Sequence, residues 1–385
     1  MEKINIGMIG AGFMCKAHSI AYSVMPMFFW PPPALPHRRT VVDVTDDLAR
    51  VAAKKYGFDT HSTNWKTLIE DTEINIIDIV TPNDMHAEIA IAAAKAGKHI
   101  ICEKPLARNA EEAKTMLDAV TESGVKHMVA FNYRRTPAVV LAKKYLTEGS
   151  IGKVLNFRGN YLLDFTADPD TSFSWRFEKK IAGSGAVGDL GTHVIDMARY
   201  LVGEISEVSA ITKTWIKERP LQTESVEKFG AVKGSGNKKI VDVDDEFCSL
   251  VRFEGGAIGS IEASRNAWGK NNFLSFEIHG EKGSLFFNYE RLNELQVCFS
   301  DDPDDRRGWR TIVTGPVHPY GEALWPIPGI GIGYAETKII ELYDFFKSII
   351  NDTKFSPDFY DGYRTALISD AIIKSSEKNT WIKID

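Results

Sequence analysis

The sequence contains few cysteines, no long apolar run and no long run of one charge. Its four cysteines lie far apart, and none occurs at the spacing of a metal-ligand set (Cys15, Cys102, Cys248 and Cys298). Reduced thiols are therefore expected, and neither a disulfide framework nor a bound metal is predicted. No apolar stretch approaches the roughly 20 residues that cross a bilayer. No run of Lys or Arg indicates a nucleic-acid partner.

The N-terminal residues enter a predicted strand directly, without the apolar core of a signal peptide, so we expect a cytoplasmic protein. The 385 residues are 44% hydrophobic and 25% charged, with a formal net charge of −6, which is typical of a globular protein. This length exceeds one ordinary hydrophobic core. The succession of predicted elements indicates an N-terminal domain at residues 1–131 and a second domain at residues 132–385.

A Gly-x-Gly turn follows the first predicted strand. Residues 4–9 form this apolar strand, Gly10 and Gly12 come next, and a helix with one apolar face follows. In this context Gly10 allows a tight turn, and Gly12 allows the backbone to approach a pyrophosphate at the helix N-terminus. Cys15 occupies the third position, where Gly or Ala is usual. The sequence therefore predicts a dinucleotide site, and a purely structural turn is the alternative.

Asp43 lies at the end of the second predicted strand, residues 40–44. A carboxylate at this position accepts hydrogen bonds from the hydroxyls of the adenosine ribose. No arginine follows it to bind a 2′-phosphate, and Arg38 and Arg39 precede the strand. NAD is therefore predicted as the cofactor in preference to NADP.

A proline-rich apolar segment, residues 25–36, separates the first helix from the second strand. Its prolines predict that it is neither helix nor central strand. Three roles stay open for it: covering the active site, forming a subunit contact, or packing on its own domain.

The first domain is organised around residues 100–105, Ile-Ile-Cys-Glu-Lys-Pro. Strands and helices alternate on both sides of this stretch, which predicts a doubly wound parallel sheet. Lys104 follows a short buried strand and is therefore expected at the carboxyl edge of that sheet, where open α/β sheets bind ligands. Partial burial at this edge would suit its amine to proton chemistry. The alternative is an ordinary surface pair of Glu103 and Lys104.

Several motifs occur in the order that is found in one enzyme family. They are Gly10-x-Gly12, Thr81-Pro82-Asn83-x-x-His86, Ala96-Gly97-Lys98-His99-x-x-x-Glu103-Lys104-Pro105, Trp175-Arg176-Phe177, and Gly183-Ser-Gly185-x-x-Gly188-Asp189-x-Gly191-x-His193-x-x-Asp196. On these motifs the chain resembles the glucose–fructose oxidoreductase/inositol dehydrogenase/MocA (Gfo/Idh/MocA) family over nearly its whole length. Residues 25–30, 127–137, 318–322 and 324–328 resemble the subgroup of that family that oxidises levoglucosan, 1,6-anhydro-glucose.

The resemblance implies an N-terminal Rossmann domain and a C-terminal α/β domain with a large, mainly antiparallel open sheet. It also implies NAD-dependent oxidation of a secondary hydroxyl of a pyranose-type sugar or an inositol. The expected cofactor-binding residues are Gly10, Gly12, Phe13, Met14, Asp43, Thr81, Pro82, Asn83, His86, Glu103, Lys104, Asn132, Trp175 and Arg176. The expected sugar-binding residues, chosen for aromatic faces and planar polar groups, are Lys104, Tyr133, Arg134, Asn160, Asp164, Arg176, Asp189, His193, His318 and Trp325.

Asp189 and His193 are four residues apart, so on a helix they share one face. Histidine as a residue type titrates near neutral pH, and His193 is predicted to take the proton of the substrate hydroxyl, with Asp189 as its partner. Lys104 is predicted to hydrogen-bond the reacting oxygen. The glycines at 183, 185, 188 and 191 are expected to let the helix start close to another backbone, with the nicotinamide as the favoured neighbour. A helix-stabilising contact and a pair of zinc ligands are alternatives, although no further zinc ligand stands at the usual spacing.

The second domain reads mainly as antiparallel strands, with residues 222–241 as a loop and helices near 334–350 and 361–377. A broad sheet with one open face needs covering, so a homo-oligomer, dimer or tetramer, is expected. Two further function classes stay open. One is an NAD-retaining glycoside hydrolase or lyase, and the other is a sensor that binds nucleotide without catalysis.

Overall fold

The computed structural model describes residues 1–222 and 233–384. The chain divides into two compact units: unit 1 comprises Met1–Asn132 and Gly333–Ala366, and unit 2 comprises Tyr133–Ile332 and Leu367–Asp385. The sequence-based boundary at 131/132 counts all C-terminal residues with the second domain, whereas the contacts group residues 333–366 with unit 1. In the described ranges no helix is both long and apolar enough to cross a membrane.

Unit 1 is built on six parallel strands: β1 (Lys3–Ile9), β2 (Leu35–Val42), β3 (Thr60–Ser62), β4 (Ile76–Ile79), β5 (His99–Cys102) and β6 (His127–Val129). They pair in the order β3-β2-β1-β4-β5-β6. The helices between them are α1 (Phe13–Phe28), α2 (Asp46–Tyr56), α3 (Lys66–Glu70), α4 (His86–Lys95) and α5 (Ala110–Ser123). The central strand β4 is buried along its whole length, as expected for a parallel sheet that is covered on both faces. The predicted doubly wound parallel sheet is confirmed.

The prediction that residues 25–36 are neither helix nor central strand is wrong for residues 25–28, and a strand also begins before the segment ends. The helix α1 continues through Pro26 to Phe28, and β2 begins at Leu35. Proline in the last turn removes a single helical hydrogen bond, and the turn is still closed by the N–H of Phe29, which donates to the carbonyl of Met25 at 2.9 Å.

The strand β2 tolerates Pro36 because of where its neighbours pair. The strand β1 runs alongside Leu35–Val42, whereas β3 pairs with residues 40–42. Pro36 therefore lies in the half of β2 that has a ladder on one side, which is a position where proline occurs in sheets. Phe29 stacks on Tyr343 with ring centroids 3.9 Å apart, so the segment packs on its own unit.

Unit 2 contains a nine-stranded sheet and a separate pair of strands. Its helices are α6 (Pro137–Thr147), α7 (Lys179–Ala182), α8 (Thr192–Leu201) and α9 (Gly321–Leu324), and a π-helical turn (Val187–Gly191) precedes α8. Its strands are β7 (Val154–Leu162), β8 (Ile205–Lys213), β9 (Glu218–Pro220), β10 (Lys238–Ile240), β11 (Glu246–Phe253), β12 (Ile258–Ser264), β13 (Phe273–Gly280), β14 (Gly283–Asn288), β15 (Glu294–Phe299), β16 (Arg310–Val313) and β17 (Ile382–Lys383).

The large sheet runs in the order β16-β15-β14-β13-β7-β12-β11-β8-β17. Its ladders are antiparallel except the one between β12 and β7, which is parallel. The expected mainly antiparallel open sheet is confirmed. The loop predicted at 222–241 is wrong at residues 238–240, which pair as β10 with β9, and residues 223–232 of that prediction lie outside the described residues.

The C-terminal helices are α10 (Tyr334–Ile350) and α11 (Phe359–Lys378), close to their predicted bounds. The helix α10 contacts α1 within unit 1. The division between the units falls inside α11, after Ala366.

Candidate active site

The Gly-x-Gly turn has the geometry that a dinucleotide requires. Gly10 has a φ of +106°, and a Cβ at this position would lie 2.7 Å from the carbonyl oxygen of Val80, so only glycine fits. A Cβ on Gly12 would meet no heavy atom within 4 Å among the described residues. This open space, at the N-terminus of α1, suits a pyrophosphate that approaches the backbone.

Asp43 directly follows β2 and is tied to the same turn. One carboxylate oxygen accepts from the N–H of Ala11 at 2.6 Å, and the other accepts from the N–H of Val44 at 2.6 Å. Arg38 donates to acceptors in α1, and Arg39 pairs with an aspartate, so both guanidinium groups are engaged within unit 1. The geometry therefore suits a ribose with free hydroxyls, as in NAD.

The turn after β4 offers a second group for a cofactor. The hydroxyl of Thr81 is buried and has no hydrogen-bond partner among the described residues, and Pro82 and the buried Asn83 follow it. His86 is fully buried, with Nδ1 3.0 Å from the carbonyl oxygen of Pro105 and Nε2 3.1 Å from that of Thr81. Burial lowers the pKa of His86. This histidine therefore connects two backbone segments of the predicted site, and its own contact with a cofactor stays a prediction.

Glu103 is buried among protein groups. One of its oxygens lies 2.8 Å from Nζ of Lys338 and 3.0 Å from Nε2 of His18, and the other accepts from the N–H of Lys104 at 3.2 Å. Burial opposes ionisation of this carboxyl, but Lys338 and His18 outweigh it and hold the pKa of Glu103 well below its usual range. The carboxylate thus positions the start of the Lys104 loop, and its predicted cofactor contact remains untested by this geometry.

Other predicted cofactor residues in unit 1 contact α10. The ring of Phe13 stacks with that of Tyr334 at 6.3 Å, and the hydroxyl of Tyr334 donates to Sδ of Met14 at 3.7 Å. The side-chain amide of Asn132 donates to the hydroxyl of Thr337 at 2.7 Å. The C-terminal helix therefore supports three residues that the motifs assign to the cofactor.

Asp189 lies in the π-helical turn, and Asp244 fixes the start of this turn. The carboxylate of Asp244 accepts from the N–H groups of Gly185 and Val187 at 2.7 and 2.8 Å. A Cβ on Gly185 would lie 1.7 Å from the carbonyl oxygen of Asp244. The glycine thus admits the backbone before β11, in line with the expectation that the glycines let this helix start close to another backbone, and an approach to nicotinamide stays a prediction. A π-helical turn at a predicted catalytic residue is a common feature of functional sites.

His193 lies in the first turn of α8 and packs among tyrosines. Its ring centroid is 4.6 Å from that of Tyr133 and 5.7 Å from that of Tyr161. The hydroxyls of Tyr133 and Tyr161 lie 2.9 Å apart, and that of Tyr161 also donates to Asn272 at 2.5 Å. Burial, with Tyr133, raises the pKa of Tyr161 well above its usual range, so this phenol stays protonated.

Arg176 belongs to the same region of unit 2. Its guanidinium lies over the ring of Trp175 at 4.4 Å, and its backbone carbonyl accepts from Arg265 at 3.3 Å. Burial lowers the pKa of Arg176, and Asp189 partly offsets this effect, so the two side chains are electrostatically coupled. Arg176 therefore lies against Trp175 and within electrostatic range of Asp189, and the roles of these residues stay predictions.

Two predicted sugar ligands have other surroundings. Arg134 forms a buried ion pair with Asp196, with its Nε 2.7 Å and an Nη 2.5 Å from the two carboxylate oxygens. Asn160 lies on the face of β7 opposite Tyr161, and its side-chain oxygen accepts from Ser275 at 3.0 Å. The ion pair engages the guanidinium of Arg134, and strand alternation places Asn160 and Tyr161 on opposite faces of β7, so a sugar contact of either residue stays a prediction.

The remaining predicted ligands lie in loops of unit 2. The carboxylate of Asp164 accepts from the N–H of Gly269 at 3.1 Å, and Nδ1 of His318 accepts from the N–H of Gly315 at 2.9 Å. Trp325 lines a small pocket with residues of the 314–332 segment. The role of these three residues with a sugar stays a prediction.

The motifs missed several residues that position the site, among them Asp244, Arg265, His18 and Lys338. Asp244 lies two residues before β11, and Arg265 directly follows β12, so their places at strand ends are the local signals for them. His18 and Lys338 have no motif context, and their partners are distant in sequence.

Two family models match this chain. A model described as an oxidoreductase family with an NAD-binding Rossmann fold (GFO_IDH_MocA) matches residues 4–131, and a model of the GFO/IDH/MocA C-terminal domain matches residues 139–286. The chain belongs to the GFO/IDH/MocA oxidoreductase family. The resemblance inferred from the motifs is confirmed, and so is NAD as the cofactor of this family member.

Known relatives of this GFO/IDH/MocA protein include one curated protein and one solved structure that match over its full length. The levoglucosan dehydrogenase of Pseudarthrobacter phenanthrenivorans is 60% identical over 385 residues, which cover 100% of this chain and 99% of the relative. The scyllo-inositol 2-dehydrogenase (NAD(+)) of Bacillus subtilis is 33% identical over 255 residues, 65% of each chain. A solved structure of levoglucosan dehydrogenase in complex with NADH and levoglucosan is 59% identical, with a TM-score of 0.95 and 100% coverage of both chains.

Proposed function

We propose that this protein catalyses the NAD-dependent oxidation of levoglucosan to 3-keto-levoglucosan. The observation that carries the proposal is the 60% identity with levoglucosan dehydrogenase over the full chain. The open space at Gly12, the carboxylate of Asp43 and the buried hydroxyl of Thr81 support the binding of NAD in unit 1. The tyrosines around His193 support a sugar site in unit 2, because aromatic rings pack against the C–H faces of pyranoses.

His193 acts in this proposal as the general base that takes the proton of the reacting hydroxyl. Asp189 binds the substrate and orients it toward His193, and Lys104 donates a hydrogen bond to the reacting oxygen. The bound nicotinamide supplies the acceptor for the hydride. The rings of Tyr133 and Tyr161 beside His193 offer aromatic faces to the sugar, and the hydroxyl of Tyr161 is held between Tyr133 and Asn272.

The test is to replace Lys104 and His193 separately, as Lys104→Met and His193→Asn. We expect each variant to lose turnover of levoglucosan by at least about 10³-fold, because each removes a group that acts on the reacting oxygen. The affinity for NADH, measured by fluorescence titration, should stay within about threefold. His37→Asn, at a partly exposed histidine in the first half of β2, is the matched control and should keep its activity. Wild-type turnover in both site variants would refute the assigned roles.

Substrate profiling separates this proposal from its alternatives. NADH should accumulate steadily with levoglucosan and more slowly with inositols or simple glucosides. Faster reduction of NAD with an inositol or a glucoside would make the protein an inositol dehydrogenase or a glycoside 3-dehydrogenase. Cleavage of a glycosidic bond without net NADH would indicate an NAD-retaining hydrolase or lyase, which the full-length relatives do not favour.

We further propose a cytoplasmic homo-oligomer in which the outward face of the nine-stranded sheet contacts a second copy of this chain. Apolar side chains are exposed on this face at Ile211, Leu250 and Ile258, each more than half accessible. Charged pairs of both signs, such as Arg252 with Glu207, lie between them. In an isologous contact the same surface of each copy faces the other, so a positive side chain of one copy can lie opposite a negative side chain of the second.

A further inference from the structure

Six polar side chains form a closed group inside unit 1, which we call the Glu103 network. They come from α1, β4, the end of β5 and α10, and all are buried: His18, Tyr22, Asp78, Glu103, Lys338 and Glu341. Only Glu103 was singled out by a motif. The proposed reaction uses none of the other five.

The contacts of the Glu103 network run in one chain from α1 to α10. The ring of His18 lies between Asp78, 2.9 Å from Nδ1, and Glu103, 3.0 Å from Nε2. Tyr22 donates to Asp78 at 2.8 Å. Nζ of Lys338 lies 2.8 Å from Glu103 and 3.3 Å from Glu341.

His18, Glu103 and Lys338 are charged despite their burial. Burial alone would lower the pKa of His18, but the charge of Asp78 and the hydrogen bonds of Asp78 and Glu103 outweigh it and raise the pKa from 6.5 to about 9. Burial also opposes the charge of Lys338, and Glu103 and Glu341 raise its pKa above the usual range. Both imidazole nitrogens face carboxylates, which requires two N–H donors. Two cations thus hold three carboxylates.

The network ends at the backbone of the proposed catalytic lysine. The second oxygen of Glu103 accepts from the N–H of Lys104, directly after β5. The carboxylate therefore fixes the loop that carries Lys104, and Lys338 holds the carboxylate. A carboxylate that lost this cation would be free to protonate or to turn away from the Lys104 N–H.

We propose that Lys338 is a positioning residue for Lys104: through Glu103 it holds the Lys104 backbone where its amine meets the reacting oxygen. This inference rests on the proposed function, because it assumes that Lys104 acts in catalysis. A role in stability alone is the competing explanation, since removing one partner of a buried pair also destabilises a protein.

The first test is the pair Lys338→Met and Lys338→Arg. A displaced catalytic group can cost about 10²-fold in rate, so Lys338→Met should lower kcat by about 10- to 100-fold. The KM for levoglucosan and the affinity for NADH should change by less than about threefold. Lys338→Arg keeps a cation beside Glu103. Its kcat should exceed that of Lys338→Met by at least about a third of the difference between Lys338→Met and the wild type. Ile339→Val, at a buried apolar position of the same helix, is the control and should keep wild-type kcat.

A second variant separates positioning from folding. Lys338→Met with Glu341→Gln removes one charge of each sign, so the net charge of the Glu103 network is unchanged. We expect this double variant to unfold at a higher temperature than Lys338→Met while kcat remains low. Recovery of kcat together with stability would overturn the inference, as would a wild-type kcat in Lys338→Met. Lys104→Met distinguishes the two failures: if it is inactive while Lys338→Met is normal, the proposed function stands and this inference falls.

Discussion

Several charged side chains lie in the interior of this protein, and their partners determine which of them are available to bind a ligand. Arg134, Arg265 and Lys338 are almost completely buried, and each has a carboxylate partner in its own unit. A buried charge is tolerated only when it is paired and hydrogen-bonded. Arg134 therefore has a structural contact where the motif suggested a sugar ligand, and Lys338 has a role that no motif indicated.

His18 makes stability depend on pH in a defined direction. Its pKa is raised in the folded protein from 6.5 to about 9, so its contribution is fully present below pH 6.5 and is lost as the pH rises through 9. At 1.36 kcal/mol per unit, this contribution is about 3 kcal/mol. Chemical denaturation between pH 6 and pH 9.5 should show His18→Gln well below the wild type at pH 6 and close to it at pH 9.5.

The control for this experiment is His61→Gln, at a partly exposed histidine paired with Asp46. Its difference from the wild type should stay small across the same range, because exposed pairs contribute little. A difference for His18→Gln that is constant from pH 6 to pH 9.5 would show that the imidazole is not charged in the folded protein.

The decisive element of unit 2 is the π-helical turn at Val187–Gly191. Asp244, two residues before β11, anchors the start of this turn by accepting two backbone hydrogen bonds. Burial raises the pKa of Asp244, and Arg265 and these N–H groups counter the effect. A side chain at Gly185 would clash with the backbone of Asp244, whereas Asp189 carries its side chain without such a clash. The turn therefore presents the carboxylate of Asp189 in a fixed position.

Gly185→Ala tests this arrangement. Because its Cβ would lie 1.7 Å from the carbonyl oxygen of Asp244, the turn and the strand must separate. We expect kcat to fall by about 10²-fold or more, since Asp189 moves with the turn. Steady-state kinetics and NADH titration should show this loss with the cofactor affinity of unit 1 retained. Gly255→Ala, where a Cβ meets nothing within 4 Å, serves as the control, and equal activity of the two variants would contradict the account.

At the scale of the whole molecule, the Gly-x-Gly turn and Asp43 belong to unit 1, whereas His193 and the tyrosines around it belong to unit 2. The C-terminal helix α10 returns to unit 1, where it contacts α1 and supports Phe13, Met14 and Asn132. The nine-stranded sheet of unit 2 has one face that carries exposed apolar side chains. Assembly is therefore expected to be a property of unit 2.

Light scattering on a size-exclusion column should give a mass of two or more chains for the wild type. Leu250→Lys with Ile258→Lys places two amines on the outward sheet face and should shift the protein toward the monomer, because burying them between copies is unfavourable. Val51→Lys, at an exposed apolar position of α2, should leave the mass unchanged. A monomeric wild type, or a double variant with the wild-type mass, would contradict the proposed interface.

The amino-acid sequence by itself determined the parallel sheet, the Gly-x-Gly turn, the cofactor class and the family, because period, turn glycines and short motifs record local structure directly. Only the tertiary structure decided the partners of those motifs. Glu103 meets Lys338 across 235 residues, and Arg134 meets Asp196 across 62. The tertiary structure also decided that α1 continues through Pro26 and that Asp189 lies in a π-helical turn. Such features arise from packing between distant segments, and local propensity contains no record of them.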